Sequence, residues 1–149
     1  MRRVWTAAAL LAAAAGPALA DGAALFDANC AVCHQAGGAG APGQFPRLAG
    51  RAGAIAARPE GRKFLMAVLL NGISGRIQVD GEQILGIMPA FDGLSDNDLA
   101  ALLTYIAGLD HAPVVFTDGE IAKARALPRK APTEMAAEHA RLAAGKIVP

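Results

Sequence analysis

Two cysteines, three histidines and four methionines are the sulfur and imidazole donors that this 149-residue chain offers a metal. Three of them are packed into Cys30-Ala31-Val32-Cys33-His34, a C-x-x-C-H motif. At a helix end, two thiols three residues apart can reach the two vinyl groups of one porphyrin, and the adjacent imidazole then lies under the iron. This is the attachment signature for c-type haem. Other uses of the pair each lack a part. A redox dithiol of the thioredoxin kind needs a preceding strand and a βαβ setting, and neither is legible. A zinc site needs two further ligands, and only His111 and His139 remain, outside any paired-ligand spacing. A disulfide would close too small a loop to stabilise much. The sequence therefore predicts one haem with its iron, attached covalently through Cys30 and Cys33, with His34 as a metal ligand.

The opposite side of the iron decides the chemistry, because a sixth protein ligand makes an electron carrier and an open face makes a gas binder or a peroxidase. Met66, Met88, Met135, His111 and His139 are the candidates. Met66 falls in a helical stretch, where a methionine usually fills a gap in the core. Met135 and His139 fall in a polar tail. Met88 lies in the glycine-rich loop Gly86-Ile87-Met88-Pro89-Ala90-Phe91, where Pro89 restricts the backbone and removes a donor that would need a partner. Met88 is the expected second metal ligand.

Positioning these groups falls to a few helices. Asp21 caps a helix of about three turns that carries Leu25, Phe26 and the cysteines and ends near Val32. Gly37 to Gly43 is an irregular loop. Pro59 opens a second helix, with Phe64, Leu65, Val68 and Leu69 as its apolar face and Asn71-Gly72 as its end. Residues 73–93 read as glycine-rich loop, with Ile77-Gln78-Val79 before Asp80-Gly81 as a short hairpin arm. Ser95-Asp96-Asn97-Asp98 caps a third helix, whose Leu99, Leu102, Leu103 and Ile106 form a buried stripe up to Gly108. The tail holds two further helical starts, at Thr117 with Glu120 and at Thr133. The expected class is all-α, three core helices and long loops. So little side-chain volume leaves a centre that a large bound group would fill.

Composition narrows the setting. Met1-Arg2-Arg3, the apolar run Val4 to Ala15 and the small-residue site Ala18-Leu19-Ala20 read as a secretory signal peptide over residues 1–20, with Gly16-Pro17 breaking the run before the cleavage site. The chain is then exported, and no stable membrane span is expected after cleavage. Of 14 Lys and Arg, two lie in that leader, leaving 12 against 13 Asp and Glu, so no nucleic-acid footprint is present.

Together, five motifs resemble the class I monohaem cytochromes c, in particular the bacterial periplasmic type with a Met-Pro-x-Phe ligand loop. They are Cys30 to His34, Phe45-Pro46-Arg47-Leu48-Ala49-Gly50, Asn71-Gly72-Ile73-Ser74-Gly75, Met88-Pro89-Ala90-Phe91, and Leu94-Ser95-Asp96 leading to Tyr105-Ile106. The resemblance covers about residues 22 to 108. It implies a fold in which the first and last core helices cross near Phe26 and Tyr105 while loops wrap the haem edge. It further implies His34 as proximal and Met88 as distal ligand, Pro46 accepting a hydrogen bond from the His34 ring, and Leu48 packing on the porphyrin. Arg47, Arg51, Arg76 and Gln78 are the candidates for its propionates, and the sequence does not choose among them.

The expected organisation is a signal peptide at 1–20, a cytochrome c domain at 21–110 and a helical C-terminal extension at 111–149. The expected function is periplasmic single-electron transfer with His/Met ligation, without an enzymatic reaction of its own. The alternative is a dedicated subunit of an exported dehydrogenase or oxidase complex. Either role implies redox partner proteins, whose identity the sequence does not carry. Within the extension, residues 113–127 are expected to strap back onto the haem domain, and the more polar stretch 133–149 is offered for partner contact.

Overall fold

Asp21 starts the first helix by accepting hydrogen bonds on its carboxylate from the Ala23 and Ala24 amides, at 3.0 and 3.2 Å. The computed structural model describes residues 20–149, so the leader apart from Ala20 lies outside the described residues. Helix α1 (Gly22–Asn29) is followed directly by α2 (Ala31–His34), and Cys30 at φ −117° separates them. The expected three-turn helix is therefore two short ones, which places Cys30 in the break and Cys33 in α2. The glycine-rich segment after it is irregular apart from a 3-10 turn at Ala36–Gly38 and a single bridge between Ala41 and Phe45.

Helix α3 (Arg51–Ala56) has no counterpart in the sequence reading, because six residues with Gly53 inside show no helical stripe. Packing holds it. A Cβ on Gly53 would stand 2.4 Å from the Ala107 carbonyl oxygen, so glycine is what lets α3 lie directly on a later helix. Helix α4 (Pro59–Asn71) follows the sequence expectation, with Pro59 at its first turn and Gly72 closing it.

Strands β1 (Ile73–Val79) and β2 (Glu82–Met88) form one antiparallel hairpin, with Ile73 opposite Met88 and Val79 opposite Glu82. Asp80 and Gly81 both take positive φ, 51° and 82°, the geometry of a two-residue turn that suits hairpin twist. The all-α expectation holds for the bulk of the chain and needs this hairpin added. The short arm expected from Ile77 to Val79 extends to seven residues per strand. Met88 is its last strand residue, not a loop residue. Gly75 and Gly86 face each other mid-hairpin and dilute the apolar alternation, so the ladder is held by backbone bonds that the side-chain pattern does not reveal.

Helix α5 (Asp96–Gly108) starts at Ser95, whose hydroxyl accepts from the Asp98 amide at 3.1 Å. It crosses α1, and the Phe26 and Tyr105 rings meet with centroids 5.5 Å apart. Phe26, Leu99 and Leu102 are fully buried in the main core.

Helix α6 (Asp118–Arg125) carries the expected capping box between Thr117 and Glu120. It is clamped to the core at both ends. Glu120 takes a two-pronged pair from Arg62 at 2.7 and 2.8 Å, and the Arg62 guanidinium lies 3.9 Å from the centre of the Phe116 ring. Arg125 reaches Asp96 and the Asp92 and Leu94 carbonyls. The hydrogen bond from Arg62 holds the Glu120 carboxyl down at about 2, against 4.5 ordinarily. A carboxyl held low in the folded state contributes stability above its unfolded value and loses it as pH falls through the folded one. Melting temperature measured against pH should therefore drop between about 4.5 and about 2, and Glu120→Gln should flatten part of that acid limb. An unchanged limb would remove Glu120 from the account.

Helix α7 (Pro132–Ala144) begins one residue before the expected Thr133, because Pro132 is preorganised for a first helical position and the Glu134 carboxylate accepts from the Ala131 amide at 2.6 Å. It packs onto the protein along one face. Met135, Leu142 and Val148 are buried with Ile55 and Phe64 in a second apolar cluster, and α7 packs on β1 and α4. The reading of Met135 and His139 as residues of a polar tail is corrected accordingly, since both are buried. No helix among the described residues is long and apolar enough to cross a membrane.

Candidate cofactor site

His34 sits at the end of α2, 8% exposed, and its Nδ1 lies 2.8 Å from the Pro46 carbonyl oxygen. A carbonyl only accepts, so Nδ1 carries the proton and Nε2 keeps a free lone pair. Burial pushes the imidazole below its usual range, opposed in part by that hydrogen bond, so the ring is held neutral. A neutral imidazole with its other nitrogen anchored to a backbone carbonyl is the form in which histidine binds a metal. Cys30, in the break between α1 and α2, is buried, and that burial with Cys33 nearby pushes its thiol up to about 11. Cys30 and Cys33 do not form a disulfide.

These groups border an apolar cavity of two lobes, about 220 and 110 Å³, sharing Cys30, His34, Pro46, Ile73, Ile77 and Met88 in their walls. Cys33 borders the larger lobe and Leu48 the smaller. All six residues singled out from the sequence thus meet at one cavity. Hairpin register explains part of the wall: Ile73, Gly75 and Ile77 pair with Met88, Gly86 and Ile84, so all six share one face of the hairpin and line the larger lobe. A side chain on Gly86 would meet nothing within 4 Å, so the missing side chain leaves open space in the wall.

Sequence reasoning missed the place of His139. It borders the smaller lobe from α7, 4% exposed, beside Arg51, which is 5% exposed on the same lobe. The signal was available in the helical spacing of Met135, Ala136, His139 and Leu142. Arg51 donates to the Pro149 carbonyl oxygen and, at 3.4 Å, to His139 Nε2, and makes no salt bridge among the described residues. Burial, then the Arg51 charge, lowers His139 to about 4, so it stays neutral. The remaining candidates for an acidic edge are elsewhere engaged or exposed. Arg47 pairs with Asp80 at 3.3 Å with its side chain 45% exposed, and Arg76 and Gln78 are exposed. Arg51 is therefore the buried cation on this wall, where burial disfavours its charged form and Asp80 favours it.

The site fits a haem on two counts of its own, an apolar cavity and two thiols beside a neutral histidine with a free nitrogen, and Arg51 adds a buried cation to the wall. Comparison with known proteins agrees, since the family model for cytochrome c matches residues 19–110. The chain belongs to the cytochrome c family. The cofactor of these proteins is a covalently attached haem c with its iron, and the expected resemblance to class I monohaem cytochromes c is borne out. One cytochrome c-552 of Thermus thermophilus is 48% identical over 90 residues, covering 60% of this chain and 60% of that protein. A second cytochrome c-552 from Thermus thermophilus is 48% identical over 88 residues, covering 59% of this chain and 66% of its own length. The chain thus spans about three-fifths to two-thirds of the cytochromes c-552 it matches.

Proposed function

We propose that this cytochrome c is a single-electron carrier of the periplasm, with His34 and Met88 as the two axial ligands and Cys30 and Cys33 as the thioether attachments. The observation that carries this reading is the convergence of Cys30, Cys33, His34 and Met88 on one apolar cavity. When bound, the haem supplies an iron that accepts or gives up one electron.

The protein residues have separable tasks. Pro46 fixes the His34 ring through its carbonyl, holding the tautomer in which Nε2 is free. Met88, at the end of β2, supplies a thioether, a soft ligand that favours the reduced state and raises the potential relative to a second histidine. Ile73, Ile77, Ile84 and Leu48 exclude water, so the charge change occurs in a medium that reorganises little. Arg51 supplies a buried cation for the acidic edge of the cofactor, which selects it over Arg47, Arg76 and Gln78. His34 and Met88 would hold the iron from the protein, which would leave no open position for a substrate. Residues 1–20 act as the export signal, residues 21–110 form the haem domain, and 111–149 form the extension. The physiological partners are redox proteins that approach the cofactor edge.

Expression in cells competent for cytochrome c maturation tests the reading. The polypeptide should retain haem stain after denaturing electrophoresis and be recovered from the periplasm, and the oxidised protein should show the weak long-wavelength absorption of a sulfur-to-iron bond. A colourless band overturns the attachment, and a stained protein without the sulfur band overturns Met88 as ligand.

A further inference from the structure

A second crevice, of about 690 Å³, lies between α4, α6, α7 and the connector over residues 126–131. On α4 the residues that face it include Lys63, Met66, Ala67 and Leu70, while Leu65, Val68 and Leu69 face the cofactor cavity. At helical spacing these are opposite faces. Most of the other wall comes from residues beyond the segment that the cytochrome c family model matches. The accessible apolar floor is formed by Ala67, Ala124, Pro128 and Leu127, the last 65% exposed, over a buried layer of Phe64, Met66, Leu70 and Met135.

The rim is cationic. Seven Lys and Arg line the crevice against three Glu, in a described chain whose basic and acidic residues nearly balance. Four arginines are already engaged: Arg62 with Glu120, Arg125 with Asp96, Arg129 with Asp92, and Arg141 with Glu138. Asp92 and Asp96 lie outside the lining and offset two of these charges. Lys63, Lys123 and Lys130 are exposed and make no salt bridge among the described residues.

Spacing says what shape of anion suits them. The Lys130 amide donates to the Asn71 side chain at 3.0 Å, at the far end of α4 from Lys63. Eight residues of helix separate Asn71 from Lys63, about 12 Å at ~1.5 Å per residue. One compact anion does not bridge that distance. An extended polypeptide, rising about 3.3 Å per residue, covers it in roughly four residues and presents alternate side chains to rim and floor.

We propose that this crevice receives an extended acidic segment of a partner protein, its carboxylates on Lys63, Lys123 and Lys130 and its interleaved apolar side chains on the floor of Ala67, Ala124, Leu127 and Pro128. Binding there holds the carrier through its extension and leaves the cofactor cavity, on the opposite face of α4, free for electron exchange.

A fluorescently labelled octapeptide alternating Glu and Leu, titrated into the holoprotein and read by anisotropy, tests this. Saturable one-to-one binding is expected, weakened about tenfold in the combined Lys63→Gln, Lys123→Gln, Lys130→Gln variant and restored when the three are Arg. Peptides alternating Gln with Leu, or Glu with Ser, should each bind at least about tenfold more weakly. The visible spectrum should be the same in all variants, which separates a failure here from a failure of the haem ligation. Absence of binding, undiminished binding by the triple variant, or equally effective competition by inorganic polyphosphate would each overturn the proposal, the last because a bare polyanion makes no use of the floor.

Discussion

Ending the chain at Arg129 is expected to lower the melting temperature of the holoprotein by roughly 10 °C. The segment removed contributes Met135, Leu142 and Val148 to the second apolar cluster, and all three are buried. Burying side chains of this size is worth about 1.5–3 kcal/mol each, offset in part by the entropy of ordering the segment. Its loss also uncovers Ile55 and Phe64 and removes the two hydrogen-bond acceptors of the Arg51 guanidinium. A net loss of about 3 kcal/mol is the expected order. Thermal unfolding of the full and shortened chains, followed at the Soret band, measures it. Equal melting temperatures would mean that α7 rests on the protein without stabilising it.

Met88→Ala should have the largest effect on redox behaviour. It removes the proposed thioether, so the long-wavelength sulfur band should vanish, carbon monoxide should bind the reduced protein, and the potential should fall. Axial ligands span roughly 0.8 V across haem proteins, and a fall on the order of 0.1 V is expected here. The fold should survive, because Met88 ends a strand at the edge of the cavity and its pairing with Ile73 is made by backbone groups. Survival of the sulfur band would shift the role to another methionine. Met66 and Met135 are buried and line the crevice on the other side of α4, not the cofactor cavity, so such an outcome would demand a rearranged chain.

What the sequence makes legible is what local chemistry controls. The bounds of α4 follow from Pro59 and Gly72, that of α5 from Ser95, and that of α6 from the reciprocal bonds of Thr117 and Glu120. The family is legible because the five-residue haem motif is contiguous. Features made by distant contacts are not. Helix α3 exists because Gly53 lets it touch α5, and nothing within residues 51–56 announces that contact. The hairpin depends on a backbone ladder across paired glycines. His139 becomes a wall of the cofactor cavity only when α7 folds back over β1, across a sequence gap that no periodicity spans.

The separate cluster beneath α7 has a kinetic meaning. Met135, Leu142 and Val148 pack with Ile55 and Phe64 and not with the main core around Phe26, Leu99 and Leu102, so α7 can detach while α1 and α5 stay crossed. Cooperative units of this kind open below the free energy of global unfolding. Amide hydrogens of α7 should exchange with solvent earlier than those of α5, and because His139 and Val148 border the smaller lobe, water enters the cofactor cavity from that side in the same event.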